Sequence, residues 1–159
     1  MALFVGEFEQ LIDGKHRLAI SSALREQINP KEDGENFILV LGPDRHLWLY
    51  ADVYYKRLLA AMKRSALPDR QSRRIDLLFA MARVVRCDSQ GRVVLPEKSM
   101  ERAVVGEKVT LVGQFDHIEI WPSDEWDRHV AESLPNYGEV LYEAAERLGS
   151  AEPEKRTSQ

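Results

Sequence analysis

The spacing of apolar residues predicts strands in the first third of the chain. Short apolar or alternating runs are typical of strands, and they occupy residues 4–12, 18–20, 37–41 and 46–50. Turn-forming residues separate these runs: Asp13 to Arg17 lie between the first two, and Gly42-Pro43-Asp44 lie between the last two. Each pair of runs therefore reads as a strand-turn-strand unit.

Helices are predicted where the apolar spacing becomes three or four residues. A short helix over residues 23–28 has Ser21-Ser22 as its N-cap and stops at Asn29-Pro30, ahead of a charged loop over residues 31–36. A longer helix runs from Asp52 to near Ser65, and Pro68 opens the next one. Their apolar faces are Tyr55, Leu58, Leu59 and Met62 in the first, and Ile75, Leu78, Phe79 and Ala82 in the second. We interpret the second face as core.

The second half of the chain predicts the same elements in the same order. Strands over residues 84–87 and 93–95 flank a turn from Asp88 to Arg92, and a short helix over residues 96–102 follows. A hairpin over residues 109–121 precedes a helix capped by Ser123-Asp124. The last helix, Tyr137 to Leu148, has an apolar face that needs a cover, formed by Val140, Leu141, Ala144 and Leu148.

The two halves are an internal repeat with a constant register. Asp13 and Asp88 have the same separation along the chain as Arg17 and Arg92. The hairpins match at a second, slightly shorter separation, which is shared by three pairs: Gly42 with Gly113, His46 with His117, and Tyr50 with Trp121. The difference falls in the loop over residues 31–36, where length is tolerated. Because neither half is long enough for a large core of its own, we expect the halves to pack together or to exchange strands.

Composition places this chain of 159 residues, 44% hydrophobic and 30% charged, among soluble globular proteins. Its single cysteine, Cys87, excludes an internal disulfide and leaves a structural zinc site without its usual thiolates. No apolar run resembles a signal peptide or is long enough to span a membrane, so we expect a cytoplasmic protein. The net charge of −4 argues against a polyanionic partner, but basic residues outnumber acidic ones between Lys63 and Arg92.

Catalytic chemistry has little support in the sequence. The four histidines do not form a recognisable pattern with a nucleophile, and neither familiar glycine-rich phosphate loop occurs. His46 and His117 occupy equivalent hairpin positions, which fold geometry explains better than catalysis or metal binding. We therefore predict no enzymatic activity, no metal site and no cofactor.

The two Asp-x-x-x-Arg turns have a structural and a functional interpretation. In the structural one, Asp13 and Asp88 hold their turns through hydrogen bonds to the backbone, and each pairs with its own arginine. In the functional one, the turns present donors to an acidic partner. The donors are Lys15, His16 and Arg17 in the first turn, and Gln90 and Arg92 in the second. The two interpretations are compatible: the aspartate shapes the turn, and the arginine that the turn presents contacts the partner.

At these residues the chain resembles the MraZ family of bacterial proteins, built from two AbrB-type swapped-hairpin modules. The resemblance runs from about Phe4 to about Trp126 and includes both repeats in order. The matching motifs are Gly6-Glu7-Phe8, Asp13-Gly14-Lys15-His16-Arg17-Leu18, Leu47-Trp48-Leu49-Tyr50, Leu77-Leu78-Phe79, Asp88-Ser89-Gln90-Gly91-Arg92-Val93-Val94-Leu95-Pro96 and Ile118-Glu119-Ile120-Trp121.

The resemblance implies an α+β fold of tandem pseudo-symmetric AbrB-like hairpin modules, forming a double-psi or swapped-hairpin barrel with linking and C-terminal helices. The first module and its following helix are expected over residues 4–64, the linking helix over 65–82, and the second module with its helix over 83–134. A C-terminal helix over 135–149 and a disordered tail over 150–159 complete the expected organisation.

The resemblance also implies a nucleoid-associated transcriptional regulator that binds repeated double-stranded DNA sites upstream of the division and cell wall gene cluster. It implies a ring-shaped homo-oligomer, commonly of about eight or twelve subunits. Carried over by position, the DNA contacts are Lys15, Arg17 and Arg92, with Gln90 as an addition, while Asp13, Asp88 and Gly91 shape the turns.

Three residues depart from the family pattern. His16 replaces a glycine that tolerates positive φ at little cost, Ser21 replaces a proline, and Val5 stands where a basic residue is frequent. With the acidic net charge, these departures keep a second hypothesis open. In that hypothesis the protein is a ring-forming interaction scaffold with weak or lost DNA binding.

Overall fold

The computed structural model describes residues 1–62 and 66–149. The predicted end of a helix near Ser65 and the predicted tail over residues 150–159 lie outside the described residues. Residues Met1–Ser123 form one compact unit, and a second unit begins at Asp124.

The first repeat contains four strands and three helices. In chain order they are β1 (Glu7–Leu11), β2 (Arg17–Ala19), α1 (Ser22–Arg25), α2 (Pro30–Asp33), β3 (Phe37–Leu41), β4 (Leu47–Ala51) and α3 (Asp52–Ala60). Helix α4 (Arg70–Ala80) leads to the second repeat, which contains β5 (Arg83–Val85), β6 (Arg92–Val94), α5 (Glu97–Arg102), β7 (Lys108–Gln114) and β8 (His117–Pro122). The second unit contains most of α6 (Ser123–Ser133), a 3-10 turn (Leu134–Asn136) and α7 (Tyr137–Gly149).

Three local predictions are corrected. The predicted helix over residues 23–28 is shorter, Ser22–Arg25, and Ser21 stands at its N-cap without a side-chain capping hydrogen bond. The predicted loop over residues 31–36 contains α2, because the Asn29 side chain accepts a hydrogen bond from the Lys31 amide and proline is favourable at the first helical position. Helix α4 begins at Arg70 rather than at Pro68, and Asp69 is its N-cap, where the Asp69 carboxylate accepts from the Ser72 amide.

The strand-turn-strand units around the two Asp-x-x-x-Arg turns are not local hairpins, whereas β3 with β4 and β7 with β8 are. Strand β1 pairs with β7 of the second repeat, β5 pairs with β3 of the first, and β2 pairs with β6. The expected exchange of strands between repeats is therefore confirmed, while pairing of β1 with β2 is wrong. All pairings are antiparallel, in a six-stranded sheet of order β1-β7-β8-β4-β3-β5 and a two-stranded sheet of β2 and β6. Within the described ranges these sheets do not close into a barrel.

The repeat in the sequence is a pseudo-two-fold relationship in the structure. Leu18 pairs with Val93 at the centre of the small sheet, and these residues are equivalent in the repeat. Trp48 pairs with Glu119 where β4 meets β8, and they are equivalent too. Equivalent residues can lie opposite each other only where the pseudo-symmetry axis passes. Both sheets therefore straddle that axis.

The core lies between the two sheets. Leu18 and Val93, on the inner face of the small sheet, are fully buried in one cluster with apolar side chains of the large sheet. The largest of these are Phe37, Leu39, Leu47, Leu49, Leu111, Ile118 and Ile120. Because strand side chains alternate in direction, residues 17, 19, 92 and 94 face outward from the small sheet.

The interpretation of the α4 stripe as core is wrong for this chain. Helix α4 has no buried residue: Leu78 is 40% exposed, and Ile75 and Phe79 are only half-buried. In α3 only Tyr55 is buried, while Leu58 is exposed. Helical spacing shows that a helix has an apolar face, but it does not show which element covers that face. The predicted apolar face of α7 is likewise exposed, including Val140, Leu141 and Leu148.

Candidate nucleic-acid interface

The first turn, Asp13–Arg17, is held by the carboxylate of its first residue. Asp13 Oδ1 accepts hydrogen bonds from the amides of Lys15 and Arg17, each 2.9 Å long. Asp13 Oδ2 accepts from Arg17 Nε at 2.6 Å. The Asp13 amide donates to the Arg17 carbonyl at 3.1 Å, which closes the turn. One carboxylate thus fixes both the backbone of the turn and the direction of its arginine.

The second turn, Asp88–Arg92, repeats this arrangement bond for bond. Asp88 Oδ1 accepts from the amides of Gln90 and Arg92 at 2.8 and 2.9 Å, and Oδ2 accepts from Arg92 Nε at 3.0 Å. The Asp88 amide donates to the Arg92 carbonyl at 2.8 Å. The second turn therefore presents Arg92 as the first presents Arg17.

The fourth residue of each turn has a left-handed backbone. His16 has φ of 61°, and Gly91 has φ of 77°. His16 thus adopts the conformation that a glycine would adopt, and the hydrogen bonds of the first turn are unchanged by it. Histidine is one of the residues that enter this region more readily than most, although glycine does so without steric cost.

The two turns lie on one face because β2 and β6 pair. Arg17 is opposite Val94 and Arg92 is opposite Ala19, so the arginines are diagonal neighbours. Diagonal positions of an antiparallel pair are roughly 7–8 Å apart. We call this outer face of the small sheet, with Arg17, Ala19, Arg92 and Val94, the turn face. It brings together two guanidinium groups that belong to different repeats and are distant in sequence.

Each arginine keeps hydrogen-bonding capacity. The side chains of Arg17 and Arg92 are 35% and 32% exposed, and each donates to its aspartate through Nε. Within the described ranges their terminal guanidinium nitrogens have no hydrogen bond or ion pair. The aspartates therefore orient the arginines and leave one edge of each guanidinium available to a ligand.

The electrostatics of the turns follow from the same contacts. Backbone hydrogen bonds from Arg17 and Arg92 are the main cause that lowers the pKa of Asp13 and Asp88, and the arginine side chains lower it further. Both aspartates are therefore ionised at neutral pH, and each Asp-Arg pair carries no net charge. In the first turn Lys15 adds a positive charge, whereas the equivalent residue of the second turn is the neutral Gln90.

A cation that the sequence did not assign to either turn lies beside Gly91. Arg25, at the end of α1, donates through Nε to the Ile20 carbonyl at 2.9 Å. Its guanidinium occupies the space where a Cβ on residue 91 would stand. Sequence reasoning missed Arg25 because the contact crosses from one repeat to the other. Comparison of the two halves could have drawn attention to Arg25, because the equivalent residue in the second half is the apolar Met100.

The two equivalent histidines lie on the other side of the large sheet from the core, in an aromatic cluster on β4 and β8. The ring centroids of His46 and Trp121 lie 4.2 Å apart. Those of the equivalent pair, His117 and Tyr50, lie 5.2 Å apart. The His117 nitrogens also contact Asp116 and Glu119 at 2.9 and 2.8 Å.

The contacts of His117 favour its charged form. Burial disfavours the imidazolium, but the hydrogen bonds to Glu119 and Asp116 outweigh burial and raise the pKa of His117. The Trp48 ring stacks on His117 at 4.0 Å.

In the part of the chain that the structure describes, no group of three histidine, cysteine or acidic residues could hold a metal ion. No helix among those residues is both long and apolar enough to cross a membrane.

Comparison with known proteins identifies both repeats. A family model described as MraZ protein matches residues 3–77 and again residues 78–156. A protein of Alkaliphilus metalliredigens named transcriptional regulator MraZ is 32% identical over 87% of this chain and 94% of its own length. Proteins of the same name from Clostridium acetobutylicum and Symbiobacterium thermophilum are 33% and 32% identical over 78% and 91% of this chain, and over 84% and 99% of their own lengths.

Proposed function

This chain belongs to the MraZ family, and from the turn face we propose that it is a transcriptional regulator that binds specific sequences of double-stranded DNA. Lys15, Arg17, Gln90 and Arg92 are the proposed DNA contacts, and Asp13, Asp88 and Gly91 shape the turns that carry them. The relatives are named as regulators rather than enzymes, which agrees with the absence of a catalytic pattern in the sequence.

The observation that carries this proposal is that two Asp-x-x-x-Arg turns with the same hydrogen bonds lie on one face. A guanidinium held by a carboxylate on one edge keeps its other edge for phosphate oxygens or for the O6 and N7 acceptors of guanine. Lys15 suits a phosphate as a point charge, and the Gln90 amide can read a base edge. Two oriented arginines on one rigid two-stranded element give both positioning and sequence readout.

The proposed protein acts as an oligomer on repeated sites. One subunit carries a net charge of −4, so a single turn face offers modest attraction to DNA. A ring of about eight or twelve subunits, as the family resemblance suggests, would engage several DNA repeats together and gain affinity by avidity. The exposed apolar side chains of α4 and α7 support association between subunits.

The family resemblance also suggests the target and the module architecture. The proposed operator lies upstream of the division and cell wall gene cluster, which would place the protein on the nucleoid. The exchange of β1 and β5 between repeats supports an AbrB-type swapped-hairpin relationship, with modules over residues 4–64 and 83–134.

Replacing the arginines tests the proposal. The double variant Arg17→Ala and Arg92→Ala should lose binding to the upstream DNA of its own operon in a gel-shift titration while keeping its oligomeric state. Arg128→Ala is the matched control, because Arg128 is exposed on α6 and its replacement removes a charge of the same kind. Unchanged affinity of the double variant beside unchanged affinity of the control would reject the turn face as the DNA site.

The second candidate function is an interaction scaffold that forms the ring but binds DNA weakly or not at all. It is favoured by the neutralisation of each arginine by its own aspartate and by the acidic net charge. A protein that assembles normally yet shows no salt-dependent affinity for its upstream DNA would support the scaffold. An affinity that falls steeply with salt would support the regulator.

A further inference from the structure

We propose that Arg25, from the first repeat, is the third arginine of the interface and a positioning residue for the second turn. This inference rests on the proposed DNA-binding function of the turn face. It adds a residue from outside both Asp-x-x-x-Arg motifs, and it makes the two turns unequal in a defined way.

The geometry links Arg25 to Gly91 through a short chain of contacts. Arg25 Nε donates to the Ile20 carbonyl at 2.9 Å, and the Ile20 amide donates to the Gly91 carbonyl at 2.8 Å. The guanidinium fills the space in which a Cβ of residue 91 would stand. A side chain at this position would displace the guanidinium and break its bond to Ile20. Glycine is therefore favoured at position 91 both by the φ of 77° and by the space that the Arg25 guanidinium occupies.

Charge gives Arg25 a role beyond packing. The Asp88-Arg92 pair is neutral, and Gln90 adds no charge where the first turn has Lys15. Arg25 supplies the positive charge that the second turn would otherwise lack. Its guanidinium lies beside the turn and is only partly buried, so it can approach the same phosphate backbone as Arg92.

At the first turn an apolar residue takes the place of the arginine, and a residue with a side chain takes the place of the glycine. The residue equivalent to Arg25 is Met100, and the residue equivalent to Gly91 is His16. Both Met100 and His16 line an open pocket of about 380 Å³, with Ile12 and Val105 among the other lining residues. A side chain at position 16 thus has room that position 91 lacks. The two pairs, Arg25 with Gly91 and Met100 with His16, are alternative solutions at equivalent places.

This relationship predicts coupling between residues 25 and 91. Gly91→His alone should lower Tm by about 2–6 °C, because it adds left-handed strain and displaces Arg25. Gly91→His combined with Arg25→Met recreates the pair found at the first turn. The double variant should therefore lose less stability than the two single variants together. Differential scanning fluorimetry without DNA measures this cycle, so its result does not depend on the proposed function.

DNA titrations test whether the positive charge of Arg25 contributes to DNA binding. Arg25→Met should weaken binding to the upstream DNA about tenfold. It should also make the dependence of affinity on salt shallower, by about 0.9 for each phosphate that the protein no longer neutralises. Arg25→Lys should keep most of the salt dependence, because it keeps the charge. Arg128→Met is the matched control and should change neither quantity. A merely structural role for Arg25 would lower Tm and leave the salt dependence intact.

Two results would overturn the inference. Additive Tm losses in the cycle would show that Arg25 does not position the second turn. An unchanged salt dependence in Arg25→Met, in a protein whose Arg17→Ala and Arg92→Ala variant has lost DNA binding, would show that Arg25 is not an interface cation. If that arginine double variant also binds normally, the turn face itself fails, and the cation role of Arg25 fails with it.

Discussion

The carbonyl of His16 accepts a hydrogen bond of 2.9 Å from the amide of Leu95 in the other repeat. Its pseudo-symmetric counterpart joins the Gly91 carbonyl to the Ile20 amide at 2.8 Å. Each turn is thereby bonded to the strand that leaves the other turn. The spacing of the two arginines is consequently a property of the paired repeats, and neither turn could keep it alone.

Replacing a turn aspartate by asparagine should distinguish the role of the aspartate in shaping the turn from the effect of its negative charge. Asp88→Asn keeps an oxygen that accepts from the Gln90 and Arg92 amides but removes the charge that neutralises Arg92. DNA affinity should fall less in Asp88→Asn than in Asp88→Ala, because asparagine loses only the Oδ2 acceptor of Arg92 Nε, whereas alanine also loses the acceptor that holds the turn. Gel-shift titrations of both variants measure the difference, with Asp127→Asn on exposed α6 as the control for net charge. Equal losses in both Asp88 variants would contradict this account.

Acid should weaken the turns. The pKa values of Asp13 and Asp88 are held below the ordinary 3.8, mainly by the backbone amides of Arg17 and Arg92. Their stabilising contribution is therefore full above pH 3.8 and is lost as the pH falls through the lower folded values, because the unfolded chain then binds more protons. Tm measured between about pH 5 and pH 2 should fall less steeply in the variant Asp13→Asn and Asp88→Asn than in the wild type.

The aromatic cluster should respond to pH in the opposite direction. The pKa of His117 is raised because bonds to Glu119 and Asp116 outweigh burial. The imidazolium therefore stabilises the fold fully below pH 6.5, and this contribution is lost as the pH rises through the higher folded pKa. His117→Gln should flatten the decline of Tm between about pH 6 and pH 9. NMR titration of the wild-type imidazole checks the shift directly, and a His117 pKa below 6.5 would contradict it.

Glycine at position 16 should stabilise the first turn. His16 has φ of 61°, a conformation that costs non-glycine residues free energy, so His16→Gly should raise the free energy of unfolding by about 0.5–1 kcal/mol. Urea denaturation measures this change. His16→Ala is the matched control, because alanine removes the imidazole and keeps the left-handed strain. A gain of equal size in His16→Ala would trace the effect to the imidazole instead.

The centre of the small sheet should be sensitive to cavities. Leu18 is fully buried opposite Val93 on the pseudo-two-fold axis, so Leu18→Ala should cost about 2–5 kcal/mol of folding free energy. Val94→Ala, on the outer face where Val94 is 58% exposed, is the control and should cost far less. Chemical denaturation compares the two. Similar losses would mean that the small sheet does not cover the core as described.

The sequence by itself determined the local structure. Apolar spacing located most of the strands and helices, and the constant separation between matching residues of the two halves established the repeat. The chemistry of Asp13 and Asp88 indicated turns that present arginines. These features depend on residues close together in the chain, where side-chain period and turn propensity act directly.

Only the tertiary structure decided which strands pair. A period of two shows which side chains of β1 share a face, but it does not distinguish β2 from β7 as the partner, because either strand could bond to the same backbone edge of β1. The turn face and the place of Arg25 beside Gly91 depend on the pairing of β2 with β6, which local residues also leave undecided. The exposure of Leu78 on α4 was likewise undecided, because helical spacing does not show which element covers an apolar face. Long-range burial selects among pairings that local residues leave equally possible.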